Sequence, residues 1–130
     1  MMPILWGPRL RSSNSTIAKS DHMPAAIRGD VWLVDLGYAA KVRPCLVLSV
    51  PPSESERALV TVVPHTTKPR GSRFEVDAPV SFLKPGVFDG QGLVTVPFPR
   101  LIRRLGRIAA DSLVKVEVAV VLWLGIERDA

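Results

Sequence analysis

The chain contains a single cysteine among its 130 residues, which excludes a disulfide framework and any zinc site built from cysteines. It has only two histidines, His22 and His65, and His22 falls in a stretch without periodic pattern, so a paired-imidazole mechanism is disfavoured. No run approaches the roughly 20 apolar residues that cross a bilayer. The longest candidate, Val118–Ile126, follows Lys115 and Glu117. The opening residues carry no long apolar run after a basic start, so no secretory signal is legible and a cytoplasmic location is expected. Also missing are a Gly-x-Gly-x-x-Gly turn, a Gly-Lys-Ser/Thr phosphate loop, a His-Glu-x-x-His pair and a Gly-x-Ser-x-Gly elbow. Asp30, Asp35, Glu75, Asp77 and Asp89 do not cluster, which speaks against a two-metal nuclease site. Neither a metal nor a cofactor is expected.

What is present points to a folded, basic domain. An apolar fraction of 47% with 22% charged residues excludes a disordered chain, and 12 prolines argue against a long helical bundle. Lys and Arg number 17 against 12 Asp and Glu, a net charge of +5. Such a balance suits a polyanionic partner, of which phosphate is the usual kind.

The chain divides near Ile27. Residues 1–26 mix Pro, Ser and Asn with isolated hydrophobes and are expected to form a flexible tail, ahead of one domain over 27–126. Gly29-Asp30 is a turn signal leading into the apolar run Val31–Leu36. Further strand-like runs are Cys45–Val50, Ala58–Val63 ending at Pro64, Arg73–Asp77 and Leu93–Val96. Short strands bounded by prolines predict a mainly β fold, a small barrel or sandwich. Pro99–Leu105 reads as a short amphipathic helical turn or two. Asp111–Leu124 fits either a helix, capped by Asp111 or Ser112 and ended by Gly125, or a strand alternating Val114, Val116, Val118 and Val120. Its length favours the helix.

The polar residues at strand ends carry the chemistry. Arg43-Pro44 opens the second strand just after Lys41, and the third is followed by His65-Thr66-Thr67-Lys68-Pro69-Arg70-Gly71-Ser72-Arg73. If these strands are neighbours, Arg43 and the Thr66/Thr67 hydroxyls converge beside a basic loop. A guanidinium grips two phosphate oxygens in a planar fork, and hydroxyls donate to the same group. Such a set binds a phosphodiester and stabilises the charge that builds when a ribose 2′-hydroxyl attacks its own phosphate.

The order Arg28-Gly29-Asp30-Val31-Trp32, Arg43-Pro44-x-Leu46-Val47-Leu48-Ser49, Val63-Pro64-His65-Thr66-Thr67 and Phe74-Glu75-Val76 resembles the MazF/PemK toxins of bacterial toxin–antitoxin operons. Phe88-Asp89-Gly90-Gln91 and Arg100-Leu101 continue the likeness, which runs from about Arg28 to Leu124. No single piece is specific; their order and spacing are. The resemblance implies an SH3-like β-barrel with a C-terminal helix over 112–124, usually a homodimer, held in check by an antitoxin. It also implies metal-independent cleavage of single-stranded RNA to a 2′,3′-cyclic phosphate and a 5′-hydroxyl. The family's functional pair matches Arg43 and Thr66. Lys41, His65, Thr67, Lys68, Arg70, Arg73 and Gln91 are the expected RNA contacts.

One departure bears on mechanism. Longer members carry a Gly-Ser-Glu-Gln-like stretch between the first strand and Arg-Pro, whereas this chain has only Gly37-Tyr38-Ala39-Ala40-Lys41-Val42. A loop glutamate acting as base has no counterpart there; Asp30 and Asp35 are conceivable substitutes. Rival readings are a noncatalytic, CcdB-like gyrase-inhibiting toxin and an RNA-binding barrel that leaves RNA whole. Cys45 reads as a buried strand thiol, Trp32 and Trp123 as core or interface residues, and Tyr38 as an exposed ring able to stack on a base.

Overall fold

The computed structural model describes residues 25–39 and 41–127; apart from residues 25 and 26, the expected tail lies outside the described residues. In chain order the elements are β1 (Asp30–Asp35), β2 (Val42–Val47), β3 (Leu59–Thr66), β4 (Glu75–Val76), β5 (Val87–Asp89), β6 (Val94–Pro97), β7 (Leu101–Arg107) and α1 (Ala110–Leu124). Short 3-10 turns at Gly90–Gly92 and Phe98–Arg100 flank β6. The strands form one antiparallel sheet in the order β4-β5-β3-β2-β1-β7, with β6 also on β3. The pairing path is open at β4 and β7 rather than closed into a ring, and the expected class, mainly β with a C-terminal helix, holds.

Strand β3 is the hub. One of its edges pairs with β2; the other takes β6 along its first half and β5 along its last two residues. Successive side chains therefore feed two cores on opposite faces. Cys45, Val47 and Val62 join Val34, Val96 and Phe98 on one side, together with Ala26, which is buried one residue before the expected boundary. Leu46 and Val63 join Phe88, Ile108, Val116 and Val120 on the other. Each buried Val, Leu or Phe contributes about 1.5–3 kcal/mol. A one-residue slip of β3 would exchange the two sets, so the register is firmly specified.

Three sequence expectations are corrected here. Pro64 does not end β3, which runs on to Thr66. Leu48 N–H donates to the Thr61 carbonyl at 3.0 Å, so alternation leaves Cys45 and Pro64 as a pair without ladder bonds. The Pro64 nitrogen then faces the other edge, between the last partner from β6 and the first from β5, where a missing N–H costs no ladder bond. Second, Leu101–Arg107 is a strand on β1, not a helical turn. Its register slips twice, leaving Ile102 and Leu105 as extra residues, and these bulges break the alternation so that the spacing imitates a helix. Third, α1 starts after Ala109, with no side-chain cap from Asp111 or Ser112; Asp111 lies in its first turn. Its other end follows expectation. Gly125, at φ +68°, closes the helix with its N–H on Leu122 and the Ile126 N–H on Val121, a left-handed cap suited to glycine.

Candidate active site

The β2–β3 register pairs Cys45 with Pro64 and Leu46 with Val63; continued by two residues, it sets Arg43 opposite Thr66 on the face that also carries Cys45. Both residues line one cleft of about 690 Å³, together with Thr67, Lys68, Arg70, Glu75 and Asp89. The cleft opens where the core under Cys45 gives way to polar side chains. Among the described residues no anionic side chain pairs with Arg43, Lys68 or Arg70, so their charge faces the cavity.

A carboxylate orders the basic loop. Glu75 accepts the backbone N–H groups of Arg70 at 2.9 Å, Gly71 at 2.8 Å and Ser72 at 3.2 Å. The Arg70 N–H, more than the other two and the Arg70 charge, holds its carboxyl below the usual carboxylate range against the opposing effect of burial. Thr66 Oγ1 accepts the Lys68 N–H at 3.1 Å, which fixes the hydroxyl at the rim while leaving its proton available to donate.

The remaining predicted contacts are placed elsewhere. Lys41 is exposed, at φ +63°, in a tight β1–β2 turn held by its N–H on Gly37 at 2.7 Å, and does not line the cleft. Arg73 lies over the Phe74 ring at 4.7 Å. Gln91 is exposed beside Gly92, which does line the cleft, and its N–H is capped by Asp89 Oδ1 at 3.1 Å. His65 projects from the opposite face of β3, against Phe88.

The conceivable bases Asp30 and Asp35 are both corrected by geometry. Asp30 is 2% exposed, its Oδ1 facing Arg107 at 3.1 Å and Arg104 at 3.3 Å and its Oδ2 accepting the Ile27 N–H. Asp35 pairs with Arg100 at 3.5 Å and caps Gly37. Neither lines the cleft. Its carboxylates, missed in the sequence as residues of the same cleft, are Glu75 and Asp89; the β5 register, continued by one residue, sets Asp89 opposite Pro64 on the Thr66 face. The Asp-Gly turn signal after Phe88 was the available clue. Cys45 is fully buried and its thiol is pushed up to about 12 by burial, so it is an inert core residue. Among the described residues no group of three or more His, Cys, Asp and Glu side chains could hold a metal ion, and no helix is long and apolar enough to cross a membrane.

Fold and cleft together define a small, mainly β protein with one cleft lined by Arg43, Lys68 and Arg70. Residues 27–124 match the family described as PemK-like, MazF-like toxin of type II toxin–antitoxin systems, and the chain belongs to that family. A probable endoribonuclease MazF of Mycolicibacterium smegmatis is 30% identical over 112 residues, 76% of this chain and 96% of that protein. An endoribonuclease solved with its cognate antitoxin, from a mycobacterial species, superposes with TM-score 0.69 at 27% identity, covering 81% of this chain and all (100%) of that one. MazF of Deinococcus radiodurans gives TM-score 0.67 at 27% identity over 80% of this chain and 98% of its own. The class expected from the sequence, a toxin of a toxin–antitoxin system with endoribonuclease relatives, is the class these comparisons return.

Proposed function

We propose that this toxin is an endoribonuclease that cuts single-stranded RNA without a metal, leaving a 2′,3′-cyclic phosphate and a 5′-hydroxyl. The observation that carries the reading is the convergence of Arg43 and Thr66, from neighbouring strands, on one cleft with Lys68 and Arg70. Arg43 stabilises the negative charge of the in-line phosphorane, and Thr66 donates its hydroxyl proton to a phosphate oxygen. Thr67, Lys68 and Arg70 steer the backbone and fix its register.

The base is Asp89. Glu75 is spent on three backbone N–H groups, whereas Asp89 commits only Oδ1 to Gln91 among the described residues. Its Oδ2 takes the 2′-hydroxyl proton as the 2′-oxygen bonds to phosphorus. The bond from phosphorus to O5′ breaks at the opposite apex, where the departing oxygen takes a proton from water, and Asp89 returns its proton to solvent.

The partners follow from the family. An antitoxin covers the cleft, and a second copy of the chain covers the exposed apolar stripe Val114, Val118 and Leu122 of α1, next to half-exposed Trp123 and Leu124. A cytoplasmic location fits that operon-encoded pairing.

The decisive assay is cleavage of a mixed-sequence RNA by pure protein in EDTA. Discrete fragments ending in cyclic phosphate are expected. Arg43→Ala slows their formation by roughly two to three orders of magnitude, and Asp89→Asn, which keeps the Gln91 cap, by about a hundredfold. Intact RNA with wild-type protein overturns the reading. Wild-type rates in either variant remove that residue's role.

A further inference from the structure

The end of β3 feeds two cavities. Thr66 turns into the cation-lined cleft, and the alternation of the strand turns His65 to the opposite side. A second cavity of about 540 Å³ lies there, under the connection between β4 and β5, with His65, Asp77, Val80, Leu83 and Lys84 in its walls. Thr67 lines both cavities, so they meet at one residue on a common rim.

Rigid and apolar side chains make up much of the second cavity's lining. Pro69, Pro79 and Pro85 contribute rigid rings, and Val80 and Leu83 contribute aliphatic surface. His65 is 5% exposed and stands edge-on to Phe88, with ring centroids 5.0 Å apart at 72°. No hydrogen bond among the described residues ties down either of its nitrogens. Burial lowers its pKa from the ordinary 6.5, so at neutral pH it offers one donor and one acceptor. Gly86 lets the roof approach: a Cβ there would stand 2.8 Å from His65 Cε1 and 2.2 Å from the Thr66 carbonyl oxygen.

Resting on the reading of the cleft as an RNA-cleaving site, we infer that this second cavity receives the nucleobase beside the scissile linkage and selects bases that carry an exocyclic amino group. A nucleobase lies one sugar away from its phosphate. A strand whose phosphate is gripped by Arg43 and Thr66 therefore carries its neighbouring base over the Thr67 rim. The prolines and aliphatic side chains take the faces of the ring. The Asp77 carboxylate can only accept, so it matches an amino N–H and repels the carbonyl oxygens of uracil. Lys84 meets the flanking phosphate.

The test uses the pure full chain and an RNA pool randomised around the cut, with cleaved ends read by sequencing. Wild-type protein is expected to deplete uracil at one position next to the cut. Asp77→Asn, at an exposed position that the fold tolerates, relaxes that depletion by about tenfold or more, the scale of losing a hydrogen bond to a charged group. His65→Phe, which keeps the ring against Phe88, weakens the same position. Lys84→Ala, also exposed, lowers the salt dependence of cleavage and supplies the second arm if His65→Phe fails to fold. Cutting with unchanged base preference in Asp77→Asn and unchanged salt dependence in Lys84→Ala overturns the pocket alone. No cutting by wild-type protein overturns the nuclease reading and the pocket with it.

Discussion

The arginines at the two ends of the sheet do different work. At the end where the start of β1 meets β7 and α1, they have anionic partners: Arg28 pairs with Glu117, and Arg104 and Arg107 share Asp30. At the cleft end, Arg43, Lys68 and Arg70 have no anionic side chain bound to them among the described residues. The one carboxylate that orders their loop, Glu75, bonds to backbone N–H groups and, though it feels the Arg70 charge, forms no salt bridge with any of the three among the described residues. Net charge conceals this division. A paired guanidinium is part of the architecture, and an unpaired one beside a cavity is available to a phosphate.

The contrast is broken most sharply by matched substitutions at the two ends. Arg43→Ala costs roughly two to three orders of magnitude in cleavage rate and leaves the melting curve unchanged, because Arg43 holds no structural partner. Arg104→Ala, removing one of two half-exposed partners of Asp30, loses no rate and only a small amount of stability. Equal losses of rate from both would show that the two ends are not functionally distinct. Next in size is Asp30→Ala, which strands two guanidiniums and frees the Ile27 N–H. It lowers stability by about 2 kcal/mol in chemical denaturation, less than a fully buried pair costs because the arginines can turn to water. Cleavage below the transition stays at the wild-type rate. Lost cleavage with an unchanged denaturation midpoint would instead move Asp30 into the site.

Much of this division was legible in the sequence, for physical reasons that also mark its limits. Arg43 and Thr66 could be brought together on the condition that two consecutive apolar strands pair as neighbours, and they do. The helix from Ala110 was legible in its length and its closing Gly125. β7 was not, because two bulges gave Leu101 and Leu105 a helical spacing. β5 was not, because three residues carry no period of their own and exist as a strand only against β3 and β4. The roles of Asp30 and Glu75 depend on groups distant in the fold or on backbone N–H groups. Side-chain chemistry in a linear reading cannot weigh either.

A smaller effect sharpens the cleft end. Glu75→Gln keeps one acceptor oxygen but surrenders the charge that gathers three N–H groups. The loop bearing Lys68 and Arg70 then pays an ordering cost on binding, and KM for RNA rises by about tenfold, the worth of one such hydrogen bond, while kcat is kept. A fall in kcat at unchanged KM would place Glu75 in the chemistry, where Asp89 has been put.

The smallest effect is a slope, and its sign is fixed. His65 binds its proton less readily in the fold than in the unfolded chain, because burial disfavours the imidazolium. The unfolded state therefore takes up more protons in acid. Stability linked to this residue is complete above its ordinary value of 6.5 and declines as the pH falls below it. Glu75, also held below its ordinary value, contributes stability that is present above 4.5 and declines only as the pH falls below that. The two windows separate the two cavities. Melting temperatures followed from pH 7 downward should fall first through the His65 window, and His65→Phe should flatten that limb while sparing the Glu75 limb. A wild-type slope retained in His65→Phe would mean that another group carries that limb and that folding leaves the proton affinity of His65 unchanged.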